Sequence, residues 1–191
     1  MSQPKSRPNL QESLESPSEE VLILADVIGN STTTLAQVMN DFLEIVKDPI
    51  IAGGFAMAHH GLVRATVDID VLAMKDLTDD IEELKLRGYK HESMQLPVGS
   101  LDLLTKGNKG VDFIHLKNAA LRSSIQQRAV RGLFLKQPIS FVSLEDLIIL
   151  KLLALKGRKK KMDEVDLESL VSQPFDSAYV NSWKVKLNVK G

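Results

Sequence analysis

The chain of 191 residues contains no cysteine. This absence excludes disulfide bonds, thiolate nucleophiles and zinc sites built on cysteine. Any metal ion must therefore be held by oxygen or imidazole ligands. The chain also lacks an excess of either charge, since its formal net charge is -1. Charge taken over the whole chain thus gives no reason to expect binding to nucleic acid or to a membrane surface.

Long apolar runs are lacking as well. No stretch approaches the roughly 20 apolar residues that span a membrane, and the first twenty residues contain no apolar core of the signal-peptide type. Segment 1–20 is rich in Ser, Pro, Gln and Glu, and we expect it to be a flexible lead-in. We expect the remainder to form a soluble, cytoplasmic domain without a membrane partner.

Hydrophobic periodicity predicts alternating helices and strands from residue 33 onwards. The predicted helices cover 33–46, 55–60, 76–87, 119–128, 144–157 and 162–171, and the predicted strands cover 50–52, 64–73, 89–94, 100–105, 111–116 and 139–142. An apolar segment at 21–29 has no clear type, and the tail after residue 171 has little periodicity. This order favours an α/β or α+β fold. We divide the chain into a core at 21–142 and a C-terminal helical segment with its tail at 143–191.

Two carboxylates, Asp68 and Asp70, lie at alternate positions of the strand predicted at 64–73. They therefore point to the same side of the sheet, where they repel one another unless a cation lies nearby. Mg²⁺ prefers such oxygen ligands and usually keeps water or substrate phosphates as its remaining ligands. The pair predicts a magnesium site, and its alternative interpretation is a solvated strand face.

Gly53 and Gly54 follow the short strand at 50–52 and precede a helix. Their bare backbone amides can approach a phosphate closely, and the N-terminus of the helix adds a favourable dipole. Alone, two glycines before a helix are more often a plain tight turn. Their combination with the acid pair, and with Arg64 and Thr66 on the same strand face, is hard to explain by folding alone.

The segment from residue 53 to residue 70 resembles the signature of the polymerase-β-like nucleotidyltransferase superfamily, through the pattern Gly53-Gly54-x-Ala56-x3-His60-Gly61-x2-Arg64-x-Thr66-x-Asp68-x-Asp70. It is most similar to minimal bacterial members, which include the abortive-infection (AbiEii-type) toxins of toxin–antitoxin pairs. The resemblance implies a mixed sheet with helices packed on it. It also implies a triphosphate at the glycine turn and Mg²⁺, with Mn²⁺ as a substitute, at the two acids.

The resemblance further implies a third carboxylate on a later strand, which completes the metal site and assists deprotonation of the acceptor. Asp112 is the best candidate, because a charge within the apolar strand 111–116 requires a partner or a metal ion. Asp102 is the second candidate. The alternative for Asp112 is an ordinary charge on an edge strand.

A second similarity lies in the C-terminal helices, through the pattern Lys151-x2-Ala154-x3-Arg158-x-Lys160-x2-Asp163-x2-Asp166. In the toxin-like members, the corresponding Lys contacts nucleotide phosphates. Met162 stands where those members have an Arg. The alternative is that Lys151 extends its charge to solvent and that the basic run Arg158–Lys161 is a solvated loop. The same run is compatible with RNA binding.

The histidines give a weaker signal. His59 and His60 are neighbours on a short predicted helix, where adjacent side chains diverge by about 100°, so both cannot ligate one ion. We expect His60 to be a packing residue near Asp68 or one that supports the site without touching the ion, and we treat His91 and His115 with the same restraint.

Together these features predict a Mg²⁺-dependent enzyme that transfers a nucleoside monophosphate from a nucleoside triphosphate, ATP first, to an acceptor hydroxyl. The acceptor alternatives are RNA, a protein or a small molecule, with a toxin–antitoxin role and a protein partner as further hypotheses. A rival hypothesis is an inactive, nucleotide-binding regulatory protein. The predicted catalytic and metal-binding residues are Asp68, Asp70 and Asp112, and the predicted nucleotide-binding residues are Gly53, Gly54, Arg64, Thr66 and Lys151.

Overall fold

The structure, a computed structural model, describes residues 33–134, 137–157 and 161–189. The helices in these ranges are α1 (Leu35–Ile45), α2 (Gly53–His59), α3 (Thr78–Leu86), α4 (Ala119–Arg128), α5 (Leu144–Gly157), α6 (Lys161–Val171) and α7 (Ser177–Leu187). The strands are β1 (Ile50–Ile51), β2 (Asp68–Leu72), β3 (Lys90–Leu96), β4 (Gly99–Lys106), β5 (Lys109–Leu116), β6 (Val130–Phe134) and β7 (Gln137–Phe141). Segments 1–20 and 21–29, and residues 158–160 of the basic run, lie outside the described residues.

The strands form one sheet of seven, in the order β3-β4-β5-β2-β1-β7-β6. Strand β2 runs parallel to β5, and β1 runs parallel to β7. The other neighbouring strands are antiparallel. The predicted α/β architecture with a mixed sheet is therefore confirmed, and the parallel pair β2–β5 lies near the centre of the sheet.

The two faces of the sheet differ in character. One face is apolar near its centre, where Phe42 of α1 packs against Phe113 of β5 with ring centroids 6.2 Å apart. The other face carries Asp68, Asp70 and Asp112 near its centre and is covered by α2 and α5. Helix α5 is buried on several sides because it also packs against α6 and α7. No helix in the described ranges has the length and apolar character that crossing a bilayer requires.

Local sequence signals account for most of the element boundaries. Thr34 caps α1 in a reciprocal capping box with Gln37. The hydroxyl of Ser143 accepts the backbone N–H of Asp146 at the start of α5, at 3.2 Å, as its spacing predicts. Gly107, with φ +69, supplies the left-handed residue in the tight turn between β4 and β5.

The differences from the sequence prediction that matter for the site and the fold concern four elements. Helix α2 begins at Gly53 rather than at residue 55, so both glycines belong to its first turn. Strand β2 begins at Asp68 rather than at residue 64. Strand β6 and helix α7 were not predicted, because most side chains of β6 are exposed and α7 buries few apolar positions.

Candidate active site

Three aspartates lie together on one face of the central strands. In the parallel register of β2 and β5, Asp70 is the partner of Asp112, and Asp68 is the partner of Gly110. Adjacent strands are about 4.8 Å apart, so the side chains of Asp70 and Asp112 leave neighbouring backbones in the same direction. Alternation along β2 places Asp68 on that face too. The structure thus brings Asp112 beside the acid pair.

The glycine turn contacts the acid pair directly. A Cβ atom on Gly53 would lie 1.8 Å from Oδ2 of Asp70, so the carboxylate rests against the bare backbone. Gly53 also has φ +55, a conformation that L side chains rarely adopt. The N–H of Ala52 donates to the carbonyl of Asp70 at 2.8 Å. Both the backbone conformation and the available space therefore require glycine at this position.

The second glycine is held close to the loop before β2. A Cβ atom on Gly54 would lie 3.0 Å from Cβ of Thr66. The Thr66 hydroxyl donates to the carbonyl oxygen of Asp68 at 3.2 Å. Thr66 thus packs against the turn and fixes the start of β2. On the other side, a Cβ atom on Gly110 would lie 3.2 Å from Oδ1 of Asp68.

The donor set suits a hard cation. Its ligand atoms are carboxylate oxygens, which Mg²⁺ prefers, and Mg²⁺ usually uses only one or two of them together with phosphate oxygens and water. Among the described residues, no three His, Asp or Glu side chains are placed so that they could hold one ion together. The carboxylate oxygens of Asp68 and Asp70 are the atoms that could hold such an ion.

Arg64 and Lys151 meet in a buried network of charges. Both approach Asp166 of α6, Arg64 through Nε at 2.8 Å and Nη2 at 2.9 Å, and Lys151 through Nζ at 2.6 Å. Lys151 also donates to Asp163 at 2.8 Å. The side chain of Asp166 is 1% exposed. Such buried charges persist only when they are well paired, and the network ties the segment before β2 to helices α5 and α6.

Asp102 lies on the opposite face of the sheet. Its oxygens are 2.9 Å from Nε2 of His91 and 2.8 Å from Nε2 of His115. Burial acts to raise the pKa of Asp102, but hydrogen bonds from His91 and Ser93, with the charge of His115, outweigh it and lower the pKa. The second candidate for the third carboxylate is therefore not brought together with Asp68.

His59 and His60 have packing contacts. Nε2 of His60 lies 2.9 Å from the carbonyl oxygen of Val142. The ring of His59 stacks on Phe141, with centroids 4.3 Å apart and planes 6° from parallel. Burial, and secondarily the neighbouring His60, lowers the pKa of His59. The contact of His60 is with Val142, the residue after β7, and the ring of His59 joins α2 to β7 itself.

A cavity beside the acids was not predicted from the sequence. Its volume is about 120 Å³, and its polar wall is formed by Asp70 and Asp112. The rest of the wall is apolar and comes from β4, β5, the turn between β3 and β4, and helix α5. The only local signal was that α5 is apolar on nearly all sides, which indicates a buried helix but not a cavity.

No protein-family model and no curated protein matches the chain. Among solved structures, it is similar to the solution structure of the antibiotic-resistance factor ANT(2'')-Ia, with a TM-score of 0.59 and 14% identity over 79% of this chain and 89% of that one. The crystal structure of ANT(2'')-Ia with adenylyl-2''-tobramycin gives a TM-score of 0.58 and 15% identity over 82% and 98%. At such identities the likeness concerns the fold alone. The chain has the nucleotidyltransferase fold.

Proposed function

We propose that the protein is a Mg²⁺-dependent nucleotidyltransferase that transfers a nucleoside monophosphate, AMP first, from its triphosphate to an acceptor hydroxyl. The observation that carries this proposal is the contact between Gly53 and Asp70. It joins a turn suited to phosphate to a carboxylate suited to Mg²⁺, on a fold shared with ANT(2'')-Ia. Folding alone would not require an acid against a left-handed glycine.

The residues have separate roles in this reaction. The backbone amides of Gly53 and Gly54 bind phosphate oxygens, and Asp68 and Asp70 would hold the metal ion. When bound, Mg²⁺ would neutralise charge on the triphosphate. Asp112 accepts the proton of the attacking hydroxyl, whose oxygen bonds to the α-phosphorus as pyrophosphate leaves. Positioning and charge neutralisation supply most of the acceleration in phosphoryl transfer.

Radiolabelled nucleotides test the proposal. The protein is incubated with α-labelled ATP, CTP, GTP or UTP, Mg²⁺ or Mn²⁺, and either total cellular RNA, cellular protein or a set of small hydroxyl compounds. We expect Mg²⁺-dependent labelling of one acceptor class, lost in Asp68→Ala and retained in Asp102→Ala, which removes an acid from the other face. Undiminished transfer by Asp68→Ala would sink the assignment.

The buried network supports a second candidate, a protein that binds nucleotide without turnover. Arg64 and Lys151, both predicted to bind the nucleotide, already pair with Asp166, so neither offers its charge to a phosphate in this arrangement. Calorimetry with ATP and Mg²⁺ separates the two functions. Tight binding without pyrophosphate release for any acceptor would favour the regulatory protein.

A role as a toxin, with RNA as the acceptor, is a narrower form of the proposal. It is supported by the basic run Arg158–Lys161, of which the structure describes only Lys161, an exposed residue. Induced expression in bacteria tests it. We expect growth arrest that disappears with Asp68→Ala and that coincides with nucleotide addition to RNA. Arrest that survives this substitution would separate toxicity from the active site.

A further inference from the structure

The cavity beside the acids has two unlike parts. Asp70 and Asp112 form one wall. The remaining walls are made of aliphatic side chains, from Leu101 and Ile114 on the same face of the sheet and from Leu153 on α5. At about 120 Å³, the cavity is near the size of the roughly 150 Å³ apolar cavity that binds benzene in an engineered protein. It can therefore take one ring or a comparable aliphatic group.

The cavity lies on the side of the acids away from the glycine turn. Gly53 follows β1, which flanks β2 on one side, whereas β5 and β4 follow on the other side. The cavity walls come from β4, β5 and the turn at Pro97. The end of α5 closes this side, because Gly157 lies against Pro97. A phosphate on the glycine turn and a group in the cavity would thus stand on opposite sides of Asp70.

We propose, on the basis of the proposed function, that this cavity binds the acceptor and selects a hydroxyl attached to a ring-sized, uncharged apolar group. The group lies among Leu101, Ile114 and Leu153, and its hydroxyl reaches toward Asp112. Burial of one ring against aliphatic side chains contributes favourable transfer energy. A small aromatic alcohol and a tyrosine side chain share this chemistry.

Other occupants fit the cavity less well. A nucleobase would leave its ring nitrogens and exocyclic groups without hydrogen-bond partners against the aliphatic walls, and each buried unpaired group is costly. A polycation such as an aminoglycoside could pair with Asp70 and Asp112, but its remaining charges would face Leu101 and Ile114. The walls therefore favour an uncharged ring over both.

Methyl-labelled protein tests the assignment by NMR. Benzyl alcohol is titrated into the full chain, and shifts of the methyl groups of Ile114, Leu101 and Leu153 report occupancy. We expect binding to weaken about tenfold or more in Ala154→Leu, because the larger side chain projects into the cavity. The matched control is Ala178→Leu, at an exposed position of α7, which should bind as the native protein does.

A second variant guards against a folding defect. Leu96→Gln places a polar group at a half-buried position of the cavity wall, and it should weaken binding while the thermal unfolding midpoint stays near that of the control. N-acetyltyrosine amide is the second probe, and whichever probe binds more tightly identifies a free alcohol or a tyrosine as the source. Equal binding of benzyl alcohol by Ala154→Leu and the native protein would overturn the proposal.

Two further titrations distinguish a failure of this proposal from a failure of the proposed function. A non-hydrolysable ATP analogue with Mg²⁺ should leave the benzyl alcohol shifts in place, whereas displacement would assign the cavity to the nucleobase and overturn the acceptor assignment. Tobramycin should leave the three methyl groups unchanged, and shifts comparable to those from benzyl alcohol would also overturn it. If the ATP analogue does not bind at all, the proposed function fails, while the methyl shifts still decide what the cavity binds.

Discussion

Asp112 and Asp102 lie on adjacent strands of one sheet, yet they face opposite ways and meet opposite surroundings. Asp112 stands beside Asp70 in register, so a carboxylate neighbours a carboxylate. Asp102 stands between His91 and His115, each within 2.9 Å. Like charges on one face repel, whereas the Asp102 carboxylate has a hydrogen bond with His91 and an ion pair with His115. The comparison shows that the face of the sheet, more than the strand, decides what an acid can do.

The largest expected effect is on catalysis at the face of the sheet that carries Asp68, Asp70 and Asp112, which we call the active face. We expect Asp70→Asn to lower Mg²⁺-dependent nucleotide transfer by about 10³-fold or more, since a neutral amide binds the cation more weakly than a carboxylate and does not offset its charge. Asp102→Asn should leave transfer unchanged. The measurement is the initial rate with labelled ATP and the acceptor that the native protein labels. Equal losses of transfer rate in the two variants would contradict the difference between the two faces of the sheet.

The same two substitutions should affect stability in the reverse order, with the larger loss in Asp102→Asn. Asp70→Asn removes a negative charge beside Asp112, so the free energy of unfolding should stay unchanged or rise, as is common where active sites hold destabilising groups. Asp102→Asn should lower it. Denaturant unfolding of both variants without Mg²⁺ checks the signs, and a fall for Asp70→Asn would show that this carboxylate has a structural role.

The next effect concerns the buried charges that link the active face to α5 and α6. Asp166→Asn leaves Arg64 and Lys151 without the carboxylate they share, and we expect a loss of about 3 kcal/mol in the free energy of unfolding. The control is Glu82→Gln, whose partner Lys85 lies on the surface, where a pair contributes about 0.5 kcal/mol or less. Similar losses in both variants would show that burial does not strengthen this network.

The glycine turn offers a matched pair of variants. Gly53→Ala places a methyl group on the Asp70 carboxylate at a left-handed position, whereas Gly61→Ala meets the same kind of strain, at φ +82, with no atom within 4 Å. Gly61→Ala should lose about 1 kcal/mol of stability, and Gly53→Ala should lose more, because its methyl group also displaces the Asp70 carboxylate. Only Gly53→Ala should also lower transfer, by about 10²-fold, because a displacement of about 1 Å at a reacting group costs that much. Equal transfer rates in the two variants would show that the contact with Asp70 is unimportant.

Local patterns predicted most strands of the sheet and the common face of Asp68 and Asp70, and the family resemblance prompted the search for a third acid. The alternation around Asp68 and Asp70 fixes their common face, because the period of a strand is two residues. The apolar surroundings of Asp112 marked it as a charge that requires a partner, and the parallel register places it beside Asp70. The alternation depends only on neighbours in sequence, whereas the pairing of β2 with β5 was not predicted and is known from the structure.

Contacts between distant segments could not be predicted in the same way. Arg64 was assigned to the strand and to the nucleotide, but its partner Asp166 is 102 residues away, and β2 begins only after it. The edge strand β6 lacks an alternating pattern, and its Gly132 is explained by His59, because a Cβ atom there would lie 2.7 Å from that ring. Both features follow from packing between elements that are distant in sequence, and such packing leaves no local pattern in the sequence.

The smallest expected effect is the pH dependence of the stability that Asp102 contributes. Its pKa is lowered from the ordinary 3.8 in the folded protein, so the unfolded chain binds the proton more readily. The ionised form therefore stabilises the fold above pH 3.8, and this contribution is lost as the pH falls through the lower folded value. Asp102→Asn should cost about 1 kcal/mol at pH 7, and the difference from the native protein should shrink near pH 3. Denaturant unfolding at both pH values measures it. A difference that persists in acid would mean that Asp102 stabilises β4 through its shape and neutral hydrogen bonds, and the contrast between the faces would then rest on Asp70 and Asp112 alone.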